Sequence, residues 1–169
     1  VELPNKLREE VPVQSAGNIP NFYRINKCNE LKKRYENENN FKYDIVIRMR
    51  PDLMINSIIP DKVFQNTSFL YHSHPHENKI SDKFAISNSK NMDYYANLWS
   101  KLPEYWKKPL GDGNPQNYRV GERLVRYHME NSTVSTEWIE MDVNVLRRQE
   151  FLERKLSDQR IITQENVFK

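Results

Sequence analysis

Residues 43–52, which read Tyr-Asp-Ile-Val-Ile-Arg-Met-Arg-Pro-Asp, constrain the fold more than any other part of the chain. Ile45, Val46 and Ile47 form a short, continuous β-branched run, the pattern of a strand with both sheet faces covered. Pro51 cannot donate to a ladder and halts it, so a strand is expected over residues 43–49. Alternate strand residues share a face at about 6–7 Å spacing. Val46, Arg48 and Arg50 therefore point one way, and Asp52 continues that direction past the strand end. Two guanidinium groups behind a buried apolar run need carboxylate partners or a polar crevice. In open α/β sheets ligands bind in the crevice at the carboxyl ends of strands. Arginine forks match phosphate oxygens, and a nearby carboxylate can hold a divalent cation that bridges a diphosphate. The alternative is an internal ion-pair set joining Arg48 or Arg50 to Asp52, Asp44 or Asp82.

The rest of the pattern alternates helices with strands, which argues for an α/β domain. Phe22, Ile25, Cys28, Leu31 and Tyr35 recur at three- and four-residue steps and predict an amphipathic helix over residues 21–35. Asn18 is its expected cap, Pro20 sits in its first turn, and Lys27, Lys32, Lys33 and Arg34 form a solvated face. Further strands are expected at 68–72 and 83–87. Ser87 or Ser89 would cap a helix carrying Met92, Tyr95, Leu98, Trp99 and Leu102, with Pro103 ending that stripe or starting a new turn. Residues 109–115 read as loop. A short helix over 121–129 turns Leu124, Val125 and His128 inward, and residues 136–145 are rich in strand formers. The expected division is an irregular lead-in over 1–19, one α/β domain over 20–149 and a charged, helical tail over 150–169.

Four groups of residues could carry chemistry. Arg48, Arg50 and Asp52 are the first. His72, His74 and His76 alternate, a spacing that suits a transition metal, although Pro75 interrupts it and such loops are often only solvated; His74 or His76 could also touch a ligand. Asp82 precedes a buried strand, where it is either a turn former or a base, metal ligand or hydroxyl acceptor. Glu122 opens a helix, where it either complements the dipole or deprotonates an acceptor hydroxyl.

Composition excludes several classes. The 169 residues allow one domain with a real core, and seven Phe, three Trp and nine Tyr argue against disorder. With 26 basic against 23 acidic residues, the charge is too balanced for a dedicated nucleic-acid binder. Cys28 is the only cysteine, which rules out an internal disulfide and suits a reducing compartment. No apolar run approaches the roughly 20 residues of a membrane span. With four glycines and no Gly-x-Gly-x-x-Gly or P-loop pattern, phosphate recognition would fall to charged side chains or a metal.

In this order, several segments resemble a family of small bacterial and viral glycosyltransferase-like proteins of lipopolysaccharide and capsule synthesis. They are Phe22-Tyr23, Cys28-Asn29-Glu30-Leu31-Lys32, the Tyr43-to-Asp52 strand, Ser81-Asp82-Lys83-Phe84-Ala85-Ile86-Ser87, Met92-Asp93-Tyr94-Tyr95 and Gly121-Glu122-Arg123-Leu124. The resemblance implies a GT-A-like, Rossmann-like mixed sheet flanked by helices that binds a nucleoside diphosphate sugar. It implies that Asp52 is the counterpart of the Asp-x-Asp metal ligand for Mn²⁺ or Mg²⁺, with Arg50 standing where the other carboxylate would be. Asp82 resembles the carboxylate near donor sugar or acceptor, and Glu122 the helix-start base of inverting members. Family members open with a strand carrying a Ser-Gly-x-x-Arg turn. This chain has none, so it is expected either to be a fragment of a longer protein or to have lost part of the donor site. The implied function is hexose transfer to a glycan acceptor in the cytoplasm, with peripheral membrane association. The rivals are a non-catalytic glycan- or protein-binding domain of the same fold and a metalloprotein centred on the histidine loop.

Overall fold

The computed structural model describes residues 19–75, 79–105 and 121–146. The expected cap Asn18, the residue His76, the loop at 109–115 and the tail from Glu150 lie outside the described residues.

Helix α1 spans Ile19–Glu38, with Pro20 in its first turn, where a missing N–H costs nothing. It ends in a Schellman motif. Asn40 takes φ 54°, the Phe41 N–H donates to the Glu36 carbonyl (3.1 Å) and the Asn40 N–H to that of Asn37 (3.4 Å). Strand β1 follows at Val46–Met49, then β2 at Leu53–Ile55, a short α2 at Lys62–Gln65, β3 at Leu70–His72 and β4 at Phe84–Ser87. Helices α3 (Ser89–Ala96), α4 (Leu98–Tyr105) and α5 (Gly121–Glu130) and strands β5 (Thr136–Trp138) and β6 (Val143–Val145) complete the described elements.

The main sheet has the order β1-β4-β3-β5. The β1–β4 and β3–β4 pairs are antiparallel and the β3–β5 pair is parallel. The fold is therefore α/β with a mixed sheet. Val46, Leu70 and Ala85 face a core built from α1, α3, α4 and α5, including Phe22, Met92, Leu102 and Leu124. The opposite face packs Tyr71, Phe84 and Ile86 against Leu53 of the β2–β6 ribbon and Val63 of α2. Each fully buried side chain of this kind stabilises by roughly 1.5–3 kcal/mol.

Several expectations need correction. β1 is an edge strand, so its continuous apolar run is not covered on both faces: Ile47 and Met49 are 47 % and 48 % exposed. On α1 only the first half of the apolar stripe is buried, where Phe22 and Ile25 pack against α3 and α4; Cys28, Leu31 and Tyr35 are exposed. The helix after β4 is capped by Asn88, whose side chain accepts from the Asn91 N–H (2.9 Å), while Ser87 donates to the Phe69 carbonyl and Ser89 to Glu36. Its stripe is split between α3 and α4 at Asn97, whose N–H donates to the carbonyls of Asp93 and Tyr94. Helix α4 runs through Pro103 to Tyr105, giving up the one bond that a proline nitrogen cannot donate.

Candidate functional site

The end of β1 and the start of β4 coincide because the two strands run antiparallel. Met49 pairs with Phe84, and one step further the Arg50 N–H donates to the Lys83 carbonyl (3.0 Å). Asp82 is thereby held beside Arg48 and Arg50. Helix α1 crosses this edge and turns a polar stripe toward it. Between helix and strand lies a cavity of about 860 Å³, lined by Asn21, Arg24, Lys32, Arg48, Arg50 and Asp82 among others. Asp52 lines it too.

Asn21 joins the charges. Its amide nitrogen donates to Asp82 Oδ2 (3.3 Å) and its oxygen accepts from Arg48 Nη2 (3.2 Å). Arg48 Nη1, Asp82 Oδ1 and Asn29 Oδ1 are buried with no partner among the described residues. Leaving such a polar group unsatisfied costs about 1–3 kcal/mol, more when it is charged. Burial raises the Asp82 pKa and the Glu122 carboxylate adds to the rise, with Arg48, Lys83 and Arg50 opposing it. Tyr95, fully buried under this edge, donates to the Ser81 carbonyl (2.9 Å), and burial pushes its pKa up to about 12.

Arg50 and Asp52 realise the ion-pair alternative. Arg50 Nε donates to Asp52 Oδ1 (2.9 Å) and Nη2 to Oδ2 (2.5 Å), a bidentate fork that lowers the Asp52 pKa. Both carboxylate oxygens are thus committed to a neighbour two residues away. Among the described residues no three His, Cys, Asp or Glu side chains gather as a metal set. In this arrangement the residues do not fit the divalent cation expected at Asp52, and no chemical step is assigned to one.

Glu122 stands in the first turn of α5, outside the cavity wall but next to it. Its backbone carbonyl accepts from the Ile80 N–H (3.1 Å) and its carboxylate pairs with Lys83 (3.4 Å). Burial works against the ionised form, but a backbone N–H and Lys83 outweigh it and lower the pKa. His74 lies elsewhere. Its backbone N–H donates to His72 Nδ1 (3.3 Å), and both residues line a second cavity. Burial, with His74 beside it, lowers the His72 pKa to about 4, so that imidazole is neutral near pH 7.

Four wall residues, Asn21, Arg24, Asn29 and Lys32, escape a reading based on periodicity, because polar positions on a helix look solvated. Asn21, Arg24, Cys28 and Lys32 nevertheless recur at three- and four-residue steps, a polar stripe that marks one helix face. Lys32 is no surface lysine. It donates to the Ser89 hydroxyl and carbonyl and pairs with Glu36 (3.4 Å) and Asp93 (2.9 Å).

Compared with known proteins, the chain matches no family model, no curated sequence and no solved structure. Among the described residues no helix is long and apolar enough to cross a membrane.

Proposed function

We propose that this domain is a GT-A-like glycosyltransferase that moves a hexose from a nucleoside diphosphate sugar to a glycan hydroxyl. The observation that carries the reading is that two charged groups of the cavity lining, Arg48 through Nη1 and Asp82 through Oδ1, each keep a buried polar atom unsatisfied. A cation and a carboxylate held apart by Asn21 suit a ligand that is anionic at one end and hydroxylated at the other.

In this scheme Arg48, with Arg24 on the facing helix, neutralises the diphosphate. These groups stabilise the charge that grows on the leaving oxygen as the anomeric bond breaks, which is electrostatic catalysis by preorganised donors. The acceptor oxygen bonds to the anomeric carbon, the diphosphate departs with the electron pair of the broken bond, and the acceptor proton passes to a carboxylate. Asp82 is the better placed base, because its raised pKa makes it the stronger proton acceptor once ionised. Glu122 is held by Lys83 and orients the edge. Arg50 is held and neutralised by Asp52 and borders the site without supplying net charge. A single cysteine suits a reducing compartment such as the cytoplasm, and a peripheral membrane location is compatible with surface-polysaccharide acceptors.

Isothermal titration of the full chain with uridine, guanosine and thymidine diphosphate hexoses tests the reading. Micromolar to millimolar binding of one donor is expected, weakened by about 10- to 100-fold in Arg48→Gln. No binding by any donor, or turnover unchanged in Asp82→Asn, sinks it. Donor binding with no transfer or hydrolysis would favour the non-catalytic alternative.

A further inference from the structure

A second cavity of about 670 Å³ opens on the helix-covered face of the same sheet, lined by His72, Ile80, Glu130, Thr136 and Trp138 among others. Its relation to the first is fixed by strand register. Arg48 pairs with Ala85, Ala85 with His72, and His72 with Trp138. These four residues form one transverse row, with side chains on one face. Neighbouring strands lie about 4.8 Å apart, so the Arg48 and His72 backbones are roughly 10 Å apart across Ala85, which has the smallest side chain in the row.

We propose that this second cavity binds a saccharide, and that it is the acceptor site of the transfer proposed above, on which this assignment rests. Three features support a neutral polyhydroxylated ligand. Trp138 is 46 % exposed at the strand end and offers a broad apolar face with a polar handle, the surface against which the C–H face of a pyranose stacks. Around it, His72, Ser132, Ser135 and Thr136 supply neutral hydrogen-bonding groups. His72 accepts at Nδ1, which leaves its ring proton on Nε2 as a donor. The lining carries fewer charges than the first cavity: Arg126 Nε is bonded to Glu130 (2.6 Å), which leaves Lys79 as the one cation in excess, against the cluster of Arg24, Arg48 and Arg50 around the first. Its volume lies within the range of small-molecule pockets.

The wall between the two cavities is the segment that carries the reacting carboxylate. Ile80 lines the second cavity and Asp82 the first, and the Ile80 N–H is fastened to the Glu122 carbonyl. The segment from Ile80 to Asp82 thus reaches from the second cavity to the first.

Saturation-transfer NMR on the full chain, with methyl glycosides and disaccharides of glucose, galactose, mannose and N-acetylglucosamine as probes, reads this site directly. Transfer to the ring protons of at least one probe is expected, weakened by about tenfold in Trp138→Ala and retained in Arg48→Gln. Thr136→Arg, a substitution at an exposed position on the same face, should block binding as well and guards against a folding defect in the first variant. Uridine diphosphate should show the opposite pattern, sensitive to Arg48 and not to Trp138. Saccharide contact indifferent to both Trp138→Ala and Thr136→Arg, or no contact by any probe at tens of millimolar, overturns the assignment. Loss of nucleotide binding with saccharide contact intact would overturn the donor reading and leave a glycan-binding site standing.

Discussion

Arg48 and Asp82 are joined through Asn21 rather than to each other, and each keeps one buried polar atom without a protein partner. A direct ion pair would have satisfied both groups and closed the site. The asparagine holds them at the cavity wall as separate charges. Arg48→Gln should therefore weaken binding of a nucleoside diphosphate by about 10- to 100-fold, the loss of one or two charge-assisted bonds. The melting temperature should not fall, since among the described residues the guanidinium makes a single side-chain bond, to Asn21. Calorimetric titration and thermal unfolding of the same preparations check both halves.

Asp82→Asn should make the protein more stable as it abolishes turnover. The folded-state pKa is raised, so this group's contribution is fully present below the ordinary carboxylate pKa and is lost as pH rises through the folded value. At neutral pH the ionised form is a burden. Removing it should stabilise by roughly 1 kcal/mol, a rise of about 2–4 °C for a chain of this size. The gain should disappear in acid. A lower melting temperature for Asp82→Asn at pH 7 would contradict the burial argument.

Asp52 distinguishes two accounts of the strand end. As a metal ligand, its replacement should cost most of the diphosphate affinity. As the partner that neutralises Arg50, Asp52→Asn should free a guanidinium for the ligand. The expectation is affinity for a nucleoside diphosphate that is unchanged or up to about tenfold higher, and insensitive to a chelator. Titrations with and without EDTA decide between the accounts.

The side-chain parity of β1 was readable from the alternation of Val46, Arg48 and Arg50 against Ile47 and Met49, because period two is local. So was the position of Asp82 just before a buried strand. The meeting of those two segments was not, since it depends on an antiparallel pairing between residues more than thirty apart in sequence. Strand β2 escapes the sequence pattern for a different reason: Leu-Met-Ile is too short to show a period, and its partner β6 lies about ninety residues away. The cavity wall on α1 was hidden by polarity. Asn21 and Lys32 look like solvent-facing residues until β1 and α3 are packed against them.

Glu36 shows how far that packing goes. It is fully buried at the end of α1, accepts from the Tyr43 N–H (3.1 Å) and the Ser89 hydroxyl (2.5 Å), and pairs with Lys42 (2.9 Å) and Lys32 (3.4 Å). Burial opposes its charge, but these partners together lower the pKa to about 2. Its contribution is thus present above pH 4.5 and lost as pH falls toward 2. Glu36→Ala leaves Lys32 with Asp93 alone and takes the acceptor from the Tyr43 N–H and the Ser89 hydroxyl, which should cost about 1–3 kcal/mol, whereas Glu36→Gln, which keeps an acceptor, should cost less. Urea unfolding at pH 7 orders the two variants, and an equal loss would contradict a role for the charge.

His128 should govern stability at milder acidity. It is fully buried on α5, with Nε2 2.7 Å from the Tyr94 carbonyl and Nδ1 2.9 Å from the Tyr105 hydroxyl. That geometry puts the ring proton on Nε2 and leaves Nδ1 to accept from the phenol. Burial, aided by Lys101 and only partly opposed by the Tyr94 carbonyl, lowers the pKa to about 4. The unfolded histidine takes up its proton near pH 6.5, so the stabilising contribution is complete above that value and declines as pH falls to about 4. The decline should amount to about 3 kcal/mol between those limits. His128→Gln would remove the titration: the variant is expected to be less stable at pH 7.5 but to lose less on acidification to pH 4.5. If wild type and His128→Gln lose stability in parallel over that interval, the buried neutral imidazole is not the group responsible.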